Sequence, residues 1–78
     1  MKELLEDMVK SIVDKTDEVD INVTESENTQ IYELRVGDGD LGKVIGKRGK
    51  NVMAIRTLLS AATAKVGGKR AILEIIEE

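Results

Sequence analysis

The sequence of 78 residues contains no cysteine and no histidine. Disulfides, zinc sites of the Cys/His type and nucleophiles built on either residue are therefore excluded. No apolar run approaches the roughly 18 residues that a membrane span needs, and no signal-peptide core follows the charged N-terminus. We expect a protein without a membrane segment, located in the cytoplasm, where a cysteine-free chain suits the reducing conditions. A chain this short buries only roughly 60% of its unfolded surface, so packing or a partner chain must stabilise it.

The charged residues are distributed unevenly, although the net charge is only −3. Residues 1–40 carry 4 basic and 12 acidic side chains, whereas residues 41–78 carry 8 basic and 3 acidic ones. The eight basic residues lie in a stretch without any acid and are Lys43, Lys47, Arg48, Lys50, Arg56, Lys65, Lys69 and Arg70. Such a block in an acidic protein predicts a surface that binds an anion, although a solvated basic helix face would give the same pattern.

The N-terminal half shows one helical pattern followed by two alternating ones. Apolar residues at helical spacing predict an amphipathic helix from Met1 to about Thr16. Alternation of apolar and polar residues predicts half-buried strands over residues 19–24 and 32–36. The polar cluster from Glu25 to Asn28 between them is a turn signal. The two strands are therefore expected to form a hairpin.

The C-terminal half reads as two helices and a strand. Gly37-Asp38-Gly39 ends the hairpin, and Asp40 is suited to cap a short helix over Leu41–Ile45. A longer helix is predicted from about Lys50 to Val66, followed by the Gly67-Gly68 cap. The β-branched segment from Lys69 to about Ile76 predicts a last strand.

The predicted order is thus α-β-β-α-α-β, which makes an α+β fold. The third strand must return through a two-helix crossover, so the three-stranded sheet is mixed. Each helix has one apolar stripe, so we expect the three helices to pack on one face of the sheet. No linker or repeat interrupts residues 1–78, which are expected to form a single domain.

No set of side chains in the sequence predicts catalysis or a bound cofactor. No base, nucleophile and orienting group converge by spacing, so the chain is predicted not to be an enzyme. The run from Gly37 to Gly42 has the glycine spacing of a dinucleotide-binding loop, but Asp38 and Asp40 would face the pyrophosphate. These two aspartates also lack the further ligands of a calcium loop. No cofactor and no metal are therefore expected.

The junction between the two C-terminal helices carries the strongest chemical signal. Gly46 and Gly49 allow a sharp turn and a close approach of the backbone to a ligand, because neither has a Cβ. Lys47 and Arg48 lie between them, and the following helix directs its free N–H groups and positive dipole end towards the loop. This combination predicts a phosphate site, while an exposed helix-loop-helix turn without a ligand remains the alternative.

The residues around this loop resemble a known family. Val44-Ile45-Gly46-Lys47-Arg48-Gly49-Lys50-Asn51-Val52 resembles the Val-Ile-Gly-x-x-Gly-x-x-Val signature of KH domains. The order of elements resembles the type II arrangement of that fold. The whole chain is most similar to the small bacterial single-KH RNA-binding proteins of the KhpA family.

The resemblance implies a site for about four nucleotides of single-stranded RNA, whose backbone the GxxG loop clamps. The implied RNA-binding residues are the loop with its flanks and the start of the last strand: Lys43, Val44, Ile45, Gly46, Lys47, Arg48, Gly49, Lys50, Asn51, Val52, Lys69 and Arg70. Lys50 and Asn51 would reach backbone or base edges. Val44, Ile45 and Val52 would form an apolar groove floor, although their spacing is equally typical of a plain core. With one aromatic residue, Tyr32, the chain cannot stack bases on aromatic rings, so affinity must rest on phosphate contacts and apolar packing.

A footprint of about four nucleotides is too short to select a transcript, so we expect a post-transcriptional regulator or RNA chaperone. The short footprint and the thin core of a 78-residue chain predict a homodimer. The resemblance adds a second KH-containing RNA-binding protein as a partner, with which the homodimer can exchange into a heterodimer. Candidate dimer surfaces are the segment Leu41–Gly46 and the exposed parts of the last strand. The alternative function is a protein-protein interaction module that presents its basic 43–70 surface to an acidic partner.

Overall fold

The computed structural model describes residues 1–77 and has the predicted order of elements. Its helices and strands are α1 (Lys2–Lys10), β1 (Asp20–Glu25), β2 (Thr29–Arg35), α2 (Leu41–Ile45), α3 (Lys50–Lys65) and β3 (Arg70–Ile75). Two short 3-10 turns, Thr16–Glu18 and Lys47–Gly49, were not predicted. The predicted α+β class and the α-β-β-α-α-β order are confirmed.

The strands form one mixed sheet in the order β1-β2-β3. β1 and β2 are antiparallel, with Ile21 opposite Leu34, and the turn between them closes through the Ser26 N–H to the Thr29 carbonyl at 2.8 Å. β3 lies parallel to β2, with Leu73 beside Tyr32. A parallel neighbour requires a crossover, which α2 and α3 provide.

The core lies between the three helices and one face of the sheet. Side chains alternate along each strand, and all the buried sheet residues fall on this face. The buried apolar residues are Leu5, Val9, Val13, Ile21, Tyr32, Leu34, Val44, Val52, Ile55, Leu59 and Leu73. The opposite face, on which Ile31 neighbours Ile72, is open. The predicted packing of three helices on one face is confirmed.

The first helix is shorter than predicted. α1 ends at Lys10, not near Thr16, and the Ser11 hydroxyl donates to the Asp7 carbonyl at 2.7 Å. The N–H groups of Asp14 and Lys15 donate to the Asp40 carboxylate, at 3.3 and 2.9 Å. In a continued helix these two groups would bond to carbonyls four residues back. The Asp40 carboxylate, distant in the sequence, therefore accepts the two N–H groups that would otherwise have continued the hydrogen bonding of α1.

Asp40 stands at the predicted start of α2, but its carboxylate does not cap that helix. The side chain is only 2% exposed and is satisfied by the backbone of residues 14 and 15. The hydrogen bond from the Lys15 N–H is the main cause that lowers the pKa of Asp40 below its ordinary value, with the Asp14 N–H and the Lys43 ammonium adding to it. Asp40 thus joins the segment after α1 to α2. Within residues 1–77, none of the helices has the length and apolar character to cross a membrane.

Candidate nucleic-acid interface

The four-residue loop Gly46–Gly49 has a backbone conformation that residues with a side chain rarely adopt. Gly46 has φ 76° and ψ 172°, while Arg48 and Gly49 are both left-handed, at φ 58° and 75°. The loop closes through the Gly49 N–H to the Gly46 carbonyl at 3.1 Å. Gly49 is followed by Lys50 in the right-handed helical conformation, and such successive N–H groups form concavities that suit an anion.

The free N–H groups of α3 lie next to this concavity, since the helix begins directly after the loop. The side chains of Lys47, Arg48 and Lys50 are exposed. None of these three cations has an acidic partner among residues 1–77. Backbone donors, a helix N-terminus and unpaired positive charge therefore converge on the loop.

Two other predicted cations are engaged within the fold. The Lys43 ammonium binds the Asp14 carboxylate and lies 3.6 Å from Asp40, and these partners raise the pKa of Lys43. The Lys69 ammonium donates to the Ser26 carbonyl at 2.9 Å and lies 3.5 Å from Glu25. Each lysine would have to exchange an internal partner for a phosphate. The unpaired basic surface is thus narrower than the sequence suggests.

The Lys69 contact belongs to a small polar network beside the hairpin turn. The Gln30 amide donates to the Glu25 carboxylate, and the Tyr32 hydroxyl donates to Gln30 at 2.9 Å. The bond from Gln30, followed by the charge of Lys69, lowers the pKa of Glu25, while burial is the main cause that raises the pKa of Tyr32. The network ties the start of β3 to the β1–β2 turn.

The predicted groove floor divides into buried and partly exposed residues. Val44 is fully buried and Val52 is 7% exposed, so both side chains belong to the core beneath the loop. Ile45 is half-buried at the end of α2. The plain-core interpretation that the sequence left open therefore applies to Val44 and Val52, and Ile45 alone of the three keeps an accessible surface.

An open cleft of about 340 Å³ lies between α3 and β3. It is lined by Arg56, Leu59, Ser60, Arg70, Ala71, Ile72 and Leu73. A second hollow of about 210 Å³ shares Ser60, Arg70 and Ala71 with it and extends to Gly68 and Lys69. The cleft therefore reaches the loop between α3 and β3, and it brings Arg70, a predicted site residue, beside Arg56.

The cleft is connected to the GxxG loop by one stripe of α3. At 3.6 residues per turn, Gly49, Met53, Arg56 and Ser60 lie on the same side of the helix. Met53 is 62% exposed and unbranched, which suits contact with a variable apolar surface. Met53, Arg56 and Ser60 were not assigned to the site from the sequence, although the spacing of three to four residues after Gly49 could have indicated them.

The strand side of the cleft offers backbone groups. The N–H of Arg70 donates to Asn28 and that of Ile76 to Leu34, so the backbone groups of even-numbered residues face β2. Those of Ala71 and Leu73 point to the free edge, because β3 is the last strand of the sheet.

Within residues 1–77, no group of three or more acidic side chains is placed to hold a metal ion.

The α-β-β-α-α-β order, the mixed sheet and the GxxG loop between α2 and α3 together define a KH domain of type II. A family model described as "KhpA/KhpB, KH domain" matches residues 2–75. The chain belongs to this KhpA/KhpB family.

Curated relatives cover nearly the whole chain. An RNA-binding protein KhpA from Borreliella burgdorferi is 55% identical over 75 residues, which are 96% of this chain and 90% of that protein. The KhpA proteins of Chlamydia trachomatis and Aquifex aeolicus are 49% and 46% identical and cover 100% and 99% of this chain, and 99% and 96% of their own lengths. Their names are those of RNA-binding proteins and not of enzymes, in agreement with the sequence-based prediction. No solved structure matches the chain significantly.

Proposed function

We propose that this chain binds single-stranded RNA, with the Gly46–Gly49 loop on the backbone and the α3–β3 cleft on the bases. The observation that carries the proposal is the loop itself: left-handed backbone at Arg48 and Gly49, directly before a helix N-terminus, with exposed cations that have no acidic partner in residues 1–77. The names of the relatives, RNA-binding proteins at 45–55% identity, support the same function.

The geometry suggests how each part of a nucleotide is held. Phosphates lie against the N–H groups of the loop and of the first turn of α3, where the helix dipole and the charges of Lys47 and Arg48 add to the attraction. A base passes Met53 on the helix and enters the cleft between Arg56 and the free backbone edge of Ala71 on the strand. The GxxG loop of KH domains clamps the backbone of about four nucleotides.

The composition limits the strength of binding. Each phosphate contact with a single strand adds about −0.7 to the slope of log affinity on log salt concentration. A clamp on about four phosphates should therefore give a slope near −2 to −3. Without aromatic stacking, the dissociation constant of one site should be about micromolar, which is about −8 kcal/mol. Nanomolar or salt-independent binding by a single domain contradicts this mechanism.

A site for about four nucleotides is too short to select one transcript, which favours a regulator or RNA chaperone that works as a dimer. A chain without cysteine suits the reducing conditions of the cytoplasm, where we expect it to act. A second copy would raise the effective concentration of the second groove once the first is bound. The exposed apolar residue Leu58 on α3 lies beside Met8 and Ile12 of α1 in a shallow apolar groove. This surface suits a second copy better than α2 or β3, because Leu58 is 56% exposed, whereas Ile72 of β3 is 37% exposed and the large apolar side chains of α2 are buried or half-buried.

The loop assignment is tested by the double variant Lys47→Asp with Arg48→Asp. Both side chains are exposed, so the fold should persist while binding of a fluorescent eight-nucleotide RNA is lost. The matched control, Lys2→Asp with Lys10→Asp, makes the same change in charge on α1 and should bind nearly as the wild type does. Circular dichroism checks the fold of both variants.

The result also separates RNA binding from the interaction module. If the folded loop variant binds RNA as before, the loop is not the site. If the wild type binds polyglutamate and is indifferent to competing single-stranded RNA, the protein-protein interaction module is the better account of the basic 43–70 surface.

A further inference from the structure

The side chain of Asn51 bridges the base of the GxxG loop. Asn51 is the second residue of α3, and its amide donates to the carbonyl of Lys43 in α2 at 2.8 Å. The two residues are eight positions apart, on opposite sides of the loop. This bond joins the helix before the loop to the helix after it.

The Lys43 carbonyl lacks the partner that a continued helix would give it. In a continued helix its partner would be the N–H of Lys47, but the conformation of Gly46, at φ 76° and ψ 172°, turns the chain away. The carbonyl is thus one of the acceptors that a helix end leaves without an intrahelical partner. Asn51 satisfies it from the start of the next helix.

Asn51 also occupies the space behind the first glycine of the loop. A Cβ on Gly46 would lie 2.6 Å from Cγ of Asn51 and 2.8 Å from its Cβ, closer than real Cβ atoms approach. A Cβ on Gly49, in contrast, would meet nothing within 4 Å. The first glycine is therefore required for its conformation and for its contact with Asn51, whereas the second is required for its conformation alone.

We infer that Asn51 is a positioning residue, which fixes the shape of the Gly46–Gly49 loop before RNA arrives. The inference rests on the proposed RNA binding, and it gives Asn51 a role other than the direct contact with backbone or base edges that the sequence suggested. A loop held in the bound conformation loses less conformational freedom when it binds. Loss of the Asn51 bond therefore weakens RNA binding without removing any charge from the site.

The test uses Asn51→Leu, which has the same number of side-chain atoms and no donor. We expect an affinity for the eight-nucleotide RNA about fivefold lower, which is ~1 kcal/mol and near the worth of one hydrogen bond. The slope of log affinity on log salt should not change, because all phosphate contacts remain. Ser11→Ala is the matched control, since it also removes a side-chain bond to a helix carbonyl but lies outside the loop.

Amide hydrogen exchange of the RNA-free protein distinguishes positioning from direct contact. Asn51→Leu should speed exchange at residues 46–49 while the core strands keep their protection, and Ser11→Ala should not affect the loop. Unchanged loop exchange together with weakened binding means that Asn51 touches RNA directly, and unchanged binding means that it has no role; either result overturns the inference. A wild type that does not bind RNA overturns the proposed function itself.

Discussion

The backbone N–H of Lys15 donates to the carboxylate of Asp40 at 2.9 Å, across 25 positions of the sequence. This contact ends α1 early and holds the chain before β1 against the start of α2. Because α2 leads directly into the GxxG loop, the placement of the loop depends on a buried carboxylate that has no part in the loop itself.

The first prediction concerns the pH dependence of stability. Bonding to the Lys15 N–H lowers the pKa of Asp40 in the folded state below its ordinary value of 3.8. The stabilisation from Asp40 is therefore complete above pH 3.8, the ordinary pKa of the group. It is lost as the pH falls through the lower pKa of the folded state. Asp40→Asn should lower the melting temperature at neutral pH and reduce the acid dependence of unfolding, followed by circular dichroism from pH 7 to about pH 2.

The control for this variant is Asp38→Asn, which removes the same charge from an exposed side chain two residues away. It should leave both the melting temperature and its acid dependence close to those of the wild type. Equal behaviour of the two variants would show that the buried carboxylate does not stabilise the fold.

The second prediction concerns strain at Arg48, which is the one non-glycine residue with positive φ among residues 1–77. Left-handed backbone costs a residue with a Cβ about 1–2 kcal/mol. Glycine avoids that cost, but it loses more conformational entropy on folding, which lowers the stability of the protein by about 0.5–1 kcal/mol. Arg48→Gly should therefore stabilise the protein by up to about 1.5 kcal/mol while weakening RNA binding, measured by urea unfolding and RNA titration.

Arg48→Ala is the matched control, because it also removes the guanidinium but keeps the Cβ. Both variants should lose affinity and lower the salt slope by about 0.7, the share of one phosphate contact on a single strand. Only the glycine variant should gain stability. A glycine variant that is less stable than the alanine variant would falsify the strain at this position.

The third prediction concerns the acid that holds Lys43. Asp14→Asn removes the main partner of the Lys43 ammonium and leaves the more distant Asp40. If Lys43 belongs to the RNA surface, as the sequence predicts, its release should raise affinity and steepen the salt slope by about 0.7. Stability should change little, because exposed ion pairs contribute about 0–1 kcal/mol.

Asp17→Asn provides the comparison, since it removes the same charge from an exposed side chain nearby. An equal rise in affinity for the two variants would mean that only the net charge matters. Lys43 would then lie outside the interface.

The fourth prediction concerns assembly. Sedimentation equilibrium of the wild type at micromolar concentration should give about twice the monomer mass of 8.6 kDa. Leu58→Asp should return the mass to that of the monomer, because it places a charge in the groove between α1 and α3. Val66→Asp, at an exposed apolar residue beyond the end of α3, is the control and should remain dimeric.

Two outcomes would contradict this assembly. A mass of 8.6 kDa at every concentration would mean that the domain works alone. A dimer that persists in Leu58→Asp would move the interface to another surface, with α2 and β3 as the next candidates.

The local sequence determined the order of elements and the position of the loop. The helical and alternating patterns are properties of neighbouring residues, so they can be read without knowing the fold. The bounds of α2 were predicted without error, and those of α3 and β3 to within one residue. The two glycines that flank Lys47 and Arg48 likewise predict the turn from the sequence alone. Only a residue without a Cβ adopts the φ and ψ of Gly46 freely.

The tertiary structure decided which of these residues are available to a ligand. The eight basic residues from Lys43 to Arg70 look alike in the sequence, yet the fold pairs Lys43 with Asp14 and Lys69 with Glu25. It leaves the loop cations without an acidic partner among residues 1–77. It also brings Arg56 beside Arg70 and places Val44 in the core. Pairing and burial depend on contacts between residues far apart in the chain, and periodicity carries no information about such contacts. The sequence therefore determined where the loop is, and the packing of helices on the sheet determined what surrounds it.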